Sequence, residues 1–107
     1  MSEGRKDDAE KLRMDLIPPE AVHALADILT SGACRYSARN WEKGISYGRV
    51  FAAVMRHLWA WWGRRGTDPD TGRSHLWHAL TGVAFLVTFE ARGMAQFDDR
   101  PGGKADG

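Results

Sequence analysis

Three of the four histidines fall where a helical hairpin would gather them: His57, then His75 and His78, with Asp68 and Asp70 between. His75 and His78 are three apart, hence on one face of a helix. If the chain turns back on itself between His57 and His75, two or three imidazoles and a carboxylate meet at one point. Mixed nitrogen and oxygen ligands of this kind suit Mn²⁺ or Zn²⁺, and Mg²⁺ less readily. The same residues also fit a plainer arrangement, with His57 hydrogen-bonded in an apolar stripe and His75 exposed at a helix start. Glu20 is a further acid, but it stands at the positive end of a helix dipole, a place it would favour without any chemistry. Asp27 reads as a solvated surface residue.

Cations and aromatics form a second set. Lys11, Arg13 and Asp15 alternate before a Pro-Pro pair. In an extended chain all three point one way, and the two cations could hold phosphate oxygens; a solubilising edge has the same pattern. Arg35, Tyr36, Asn40 and Trp41 share one loop. There an aromatic ring can stack on a planar ligand while Asn reads its edge, or Trp41 can simply fasten the loop to the core. Arg49 and Arg56, seven apart, either steer an anion or form a water-facing edge. Cys34 has no catalytic partner nearby and reads as a small buried residue.

The elements that must position these groups are helices. Pro18-Pro19 predicts a helix start, Val22, Leu25, Ala26 and Leu29 follow at helical spacing, and Gly32 is the expected stop. Residues 33–46 read as an ordered loop. Ser46 caps a second helix to about Trp62, ended by Gly63 and Gly66. It bears two apolar stripes, Val50, Val54, His57 and Trp61, and Phe51, Met55, Leu58 and Trp62, as in a helix sandwiched between neighbours or subunits. After a polar turn, Ser74 caps a third helix through about Arg92, with Leu76, Leu80, Val83, Ala84 and Val87 expected inward and Gly93 ending it. A short last turn spans Met94 to Phe97. The predicted fold is all-α: three main helices in a compact bundle, one domain over residues 11–97, with flexible tails at 1–10 and 98–107.

Composition bounds the partners. The 107 residues hold 15 basic and 14 acidic side chains, a net charge of +1, too balanced for a general polyanion binder. No apolar run nears the roughly 20 residues that span a bilayer, and the polar start is unlike a secretory signal. One cysteine excludes an internal disulfide framework. These features predict a cytoplasmic protein with neither membrane nor polymeric nucleic acid as partner. Five tryptophans are more indole than so small a domain hides alone, so a homodimer or higher homo-oligomer is expected.

In combination, DLIPPE, GACRY followed by NW, RHLWAWW and DPDTGRSHLWHAL, in that order within residues 11–90, resemble the N-terminal dATP/dGTP diphosphohydrolase family of phages and prophages. That family is related in fold and chemistry to the MazG-like all-α nucleoside triphosphate pyrophosphatases. The resemblance implies hydrolysis of a purine deoxynucleoside triphosphate between the α and β phosphates, giving monophosphate and pyrophosphate, with a divalent metal (Mg²⁺ or Mn²⁺, with Zn²⁺ as an option) activating water. On the matching positions, residue chemistry assigns Glu20, His57 and Asp68 to catalysis, and Glu20, His57, Asp68, His75 and His78 to the metal. Lys11, Arg13, Arg35 and Arg56 go to substrate phosphates, and Tyr36, Asn40 and Trp41 to the nucleoside. The acidic ExxE and ExxD pairs of MazG-like enzymes are absent; histidines stand in their place. The other reading is a non-catalytic helical module that binds nucleotide or protein, with a structural histidine cluster.

Overall fold

A computed structural model describes residues 11–103; the expected tail at 1–10 and the last four residues lie outside them. Three α-helices carry the fold, α1 (Pro19–Arg35), α2 (Tyr47–Trp62) and α3 (His75–Ala91), with short 3₁₀ turns at Met14–Leu16, Asn40–Lys43 and Ala95–Phe97. Among the described residues there is no strand, only an isolated antiparallel bridge between Thr67 and Ser74. The fold is all-α, as the periodicity implied.

The helix starts follow their capping residues. Pro18 precedes α1 and Pro19 opens it. Ser46 Oγ accepts from Arg49 N–H at the start of α2, and Ser74 Oγ from Leu76 N–H at the start of α3. The ends differ more. α1 runs through Gly32 to Arg35, because a lone glycine costs a helix only about 1 kcal/mol and nothing else stops it there. α2 ends at Trp62 as expected, but the left-handed residue is Arg64, with φ 57°, rather than a glycine. The Arg65 N–H reaching Ala60 C=O closes that end. Gly93, with φ 65°, closes α3 as predicted.

α2 and α3 form an antiparallel hairpin, and α1 lies along α3 with hardly any contact to α2. Val50 and Val54 face inward, with Tyr47, Ala79 and Phe89 around them. The hairpin is close because residue 82 is glycine: a Cβ there would stand 2.5 Å from Val54 Cγ2. The inward side of α3 is not the one expected. Leu76, Leu80, Val83 and Val87 face out, and the interior takes His75, Ala79, Thr81, Phe85 and Phe89. On α2 the stripe of Phe51, Leu58 and Trp62 is likewise exposed.

The 36–46 loop is fastened at two points. Trp41 stacks on Phe85 with centroids 4.3 Å apart, and Glu42 accepts hydrogen bonds from Arg39 at 3.0 Å and Arg92 at 2.9 Å. Asp98–Gly103, read from sequence as part of a tail, lies against α2: Asp99 Oδ1 accepts from Gly48 N–H at 2.7 Å, and Arg100 sits over the Tyr47 ring. Cys34, expected to be buried, is exposed.

Candidate metal centre and adjoining clefts

The hairpin geometry brings the histidines together. His57 lies in the last turns of α2, and His75 and His78 in the first turn of α3. The His57 and His75 Nδ1 atoms are 2.9 Å apart, and the His57 and His78 rings stack with centroids at 4.7 Å. Asp68 comes from the polar turn between the helices. There the Thr67–Ser74 bridge and the Asp68 N–H bond to Arg73 C=O narrow the chain. Asp68 Oδ1 accepts from the N–H groups of Asp70 (2.8 Å) and Thr71 (3.0 Å) and from Thr71 Oγ1 (3.4 Å). An Asx turn of this kind follows from D-P-D-T, and it leaves Oδ2 as the oxygen available to a cation.

One ligand atom each from His57, Asp68 and His75 lies within 4.8 Å of the others. Two imidazole nitrogens and a carboxylate oxygen at that spacing fit a small divalent cation. Electrostatics favours the unprotonated ligands that a metal needs. Burial, reinforced by His78, lowers the His57 imidazole below 6.5; burial likewise lowers His78. Partial burial pushes the Asp68 carboxyl upward, but the Thr71 and Asp70 N–H groups outweigh it and hold it below its usual range. His75 is buried, not exposed at the helix start.

His78 stands beside the group rather than in it: its Nε2 is 2.7 Å from Thr71 Oγ1. Glu20 contributes no ligand atom to the group; it is exposed in the first turn of α1. The acid of α1 that does reach this region is Asp27, read from sequence as merely solvated. Its Oδ1 accepts from Arg73 Nε at 2.7 Å, tying α1 to the turn that carries Asp68. Thr71 and Asp27 were the residues that sequence reasoning missed. The Asx-turn pattern signals Thr71, but nothing local signals a pair 46 residues apart.

Two clefts meet beside the cluster. One, of about 330 Å³, is lined by Arg49, Arg56, His57 and His78. The other, of about 480 Å³, is lined by Leu29, Gly32, Tyr36, Asn40 and Trp41. Ile28, Ile45 and Phe85 line both. Tyr36 and Asn40 therefore open onto a cavity as expected, and so does Arg56. Trp41 presents one face to Phe85, so fastening the loop is its evident work. Arg35 lies over the Tyr36 ring at 5.4 Å and does not line either cleft. Lys11 and Arg13 are exposed and line neither. Arg13 is engaged by Asp15 through two 2.8 Å hydrogen bonds, because the segment bends into a 3₁₀ turn instead of running extended.

The frame and the site define an all-α protein with a cation-type cluster on the wall of an arginine-lined cleft. The chain belongs to the family described as dATP/dGTP diphosphohydrolase, N-terminal, whose model matches residues 1–100. It is 32% identical over 83 residues to a protein of Salmonella phage PMBT28 named dATP/dGTP diphosphohydrolase. That match covers 78% of this chain but 28% of the phage protein. No solved structure matches the chain. No helix among the described residues is long and apolar enough to cross a membrane.

Proposed function

We propose that this chain binds a purine deoxynucleoside triphosphate, dATP or dGTP, and hydrolyses it between the α and β phosphates with the help of a divalent cation. The observation that supports this most directly is the placement of His57, Asp68 and His75 beside a cleft whose other polar groups are Arg49 and Arg56. A triphosphate requires both kinds of group, cation ligands and fixed positive charge. The adjoining cleft, with Tyr36 and Asn40 on its wall, is wide enough for a nucleoside, and Asn40 can pair with a base edge.

In this reading His57, Asp68 and His75 hold the cation, with Mg²⁺, Mn²⁺ and Zn²⁺ as candidates. The cation supplies charge neutralisation and a more acidic water. Arg49 and Arg56 neutralise the phosphates. Thr71 Oγ1 donates to Asp68 and accepts from His78 Nε2–H, which leaves the His78 Nδ1 lone pair to take a proton from the attacking water. The setting proposed for this reaction is the cytoplasm.

The assay is incubation of the purified chain with each dNTP and NTP, with Mg²⁺ or Mn²⁺ and then with chelator, the products being resolved by chromatography. Monophosphate and pyrophosphate from dATP or dGTP, lost with chelator, are expected. Diphosphate and orthophosphate would overturn the choice of bond. A second reading, a non-catalytic nucleotide-binding or protein-interaction module with a structural histidine cluster, is favoured by the single carboxylate in the ligand group. His78→Ala separates the two: an enzyme loses turnover and keeps its helicity, whereas a structural cluster loses helicity and melting temperature together.

A further inference from the structure

The exposed apolar side chains are concentrated on the side of the α2–α3 hairpin that α1 does not cover. On α3, Leu76, Leu80, Val83 and Val87 follow at i, i+4, i+7 and i+11, and are 37%, 37%, 44% and 58% exposed. On α2, Phe51, Leu58 and Trp62 form the matching stripe, at 57%, 38% and 73%. The two stripes adjoin, since Phe51 shares a cleft of about 430 Å³ with Val83 and Val87. The opposite side of α3 is where α1 sits, through the edge-on His23–Trp77 contact and the Asp27–Arg73 pair.

We propose that this face is the contact between two copies of the chain, related by a two-fold axis that sets the hairpins antiparallel as a four-helix bundle. Area supports a stable pair. At about 200 Å² per aromatic side chain, Phe51, Trp59 and Trp62 alone leave roughly 380 Å² open. That is about half of the ~800 Å² each partner buries in a standard interface, and five aliphatic side chains supply more. Charge selects a second copy over an unrelated partner. Arg64 and Arg65 stand at one end of the hairpin and Glu90 at the other, and none of the three is in an ion pair among the described residues. An antiparallel two-fold brings each copy's arginines to the other's Glu90; a parallel alignment sets like against like.

Sedimentation velocity on the full chain across the micromolar range is the test, with far-UV circular dichroism as the control for folding. A single species near twice 11.9 kDa is expected. Leu80→Glu, at an exposed position, should raise the dissociation constant by roughly tenfold or more while the helicity stays. Reversing both arginines (Arg64→Glu with Arg65→Glu) should weaken the pair, and adding Glu90→Arg should restore it. A monomer at all concentrations overturns the proposal, as does an open ladder of sizes or a dimer indifferent to Leu80→Glu. Failure of Glu90→Arg to restore the pair overturns the antiparallel arrangement. None of these readouts depends on nucleotide turnover.

Discussion

At the residue scale, the cluster stores charge sensitivity in its histidines. His57 and His78 are held below 6.5, chiefly by burial, so between their folded values and 6.5 the unfolded chain takes up protons that the folded chain refuses. Stability is therefore full above about pH 6.5 and is lost as pH falls through that window. The urea midpoint should be flat from neutral pH upward and drop as the solution is made mildly acidic. In the double variant His57→Gln, His78→Gln the drop should shrink; an unchanged slope would count against the assignment. That these histidines gather was legible from spacing, because H-x-x-H on one helix and a histidine late in the preceding one leave little choice once a hairpin forms. Their order within the site was not. Whether His78 ligates or stands behind Thr71 depends on where a seven-residue polar turn puts a hydroxyl, and rotation by one residue would exchange the roles. Glu20 shows the converse: a carboxylate at a helix start reads as chemistry but is stable there for its own electrostatic reasons.

At the scale of elements, caps were the most legible feature. Ser46, Ser74, Pro19 and Gly93 act locally, through one or two backbone groups, and local rules decide them. The faces of α3 were not legible. This helix is apolar nearly all round, so periodicity cannot say which side meets α1 and α2 and which is left in water. What settles the orientation is one small residue. Gly82 lets α3 approach Val54, whose branched Cβ cannot turn away at little cost. Gly82→Ala places a methyl 2.5 Å from Val54 Cγ2 and should destabilise the chain by about 1–3 kcal/mol, read as a lower melting temperature. The same change should also loosen the His57–His75 approach one to two turns away. Pairing it with Val54→Ala should recover part of the loss; no recovery would show that the spacing is set elsewhere.

At the scale of the whole molecule, the hairpin and α1 are unequal partners. The hairpin is joined by a shared apolar interior and by the histidines. α1 rests on α3 alone, its polar hold being Asp27 on Arg73, half-buried and hence only partly shielded from salt. Yet Ile28, Leu29 and Gly32 of α1 form a wall of the clefts. The least secured element is thus the one a ligand must pass, and access becomes a matter of time rather than of space. Amide exchange should rank the helices accordingly, α1 protons leaving by a lower-energy opening than those of α2 and α3. Added dATP should slow exchange on α1 first, and added salt should hasten it. The rate at which α1 lifts, not the width of either cleft, then sets how quickly a nucleotide enters and how long its products stay.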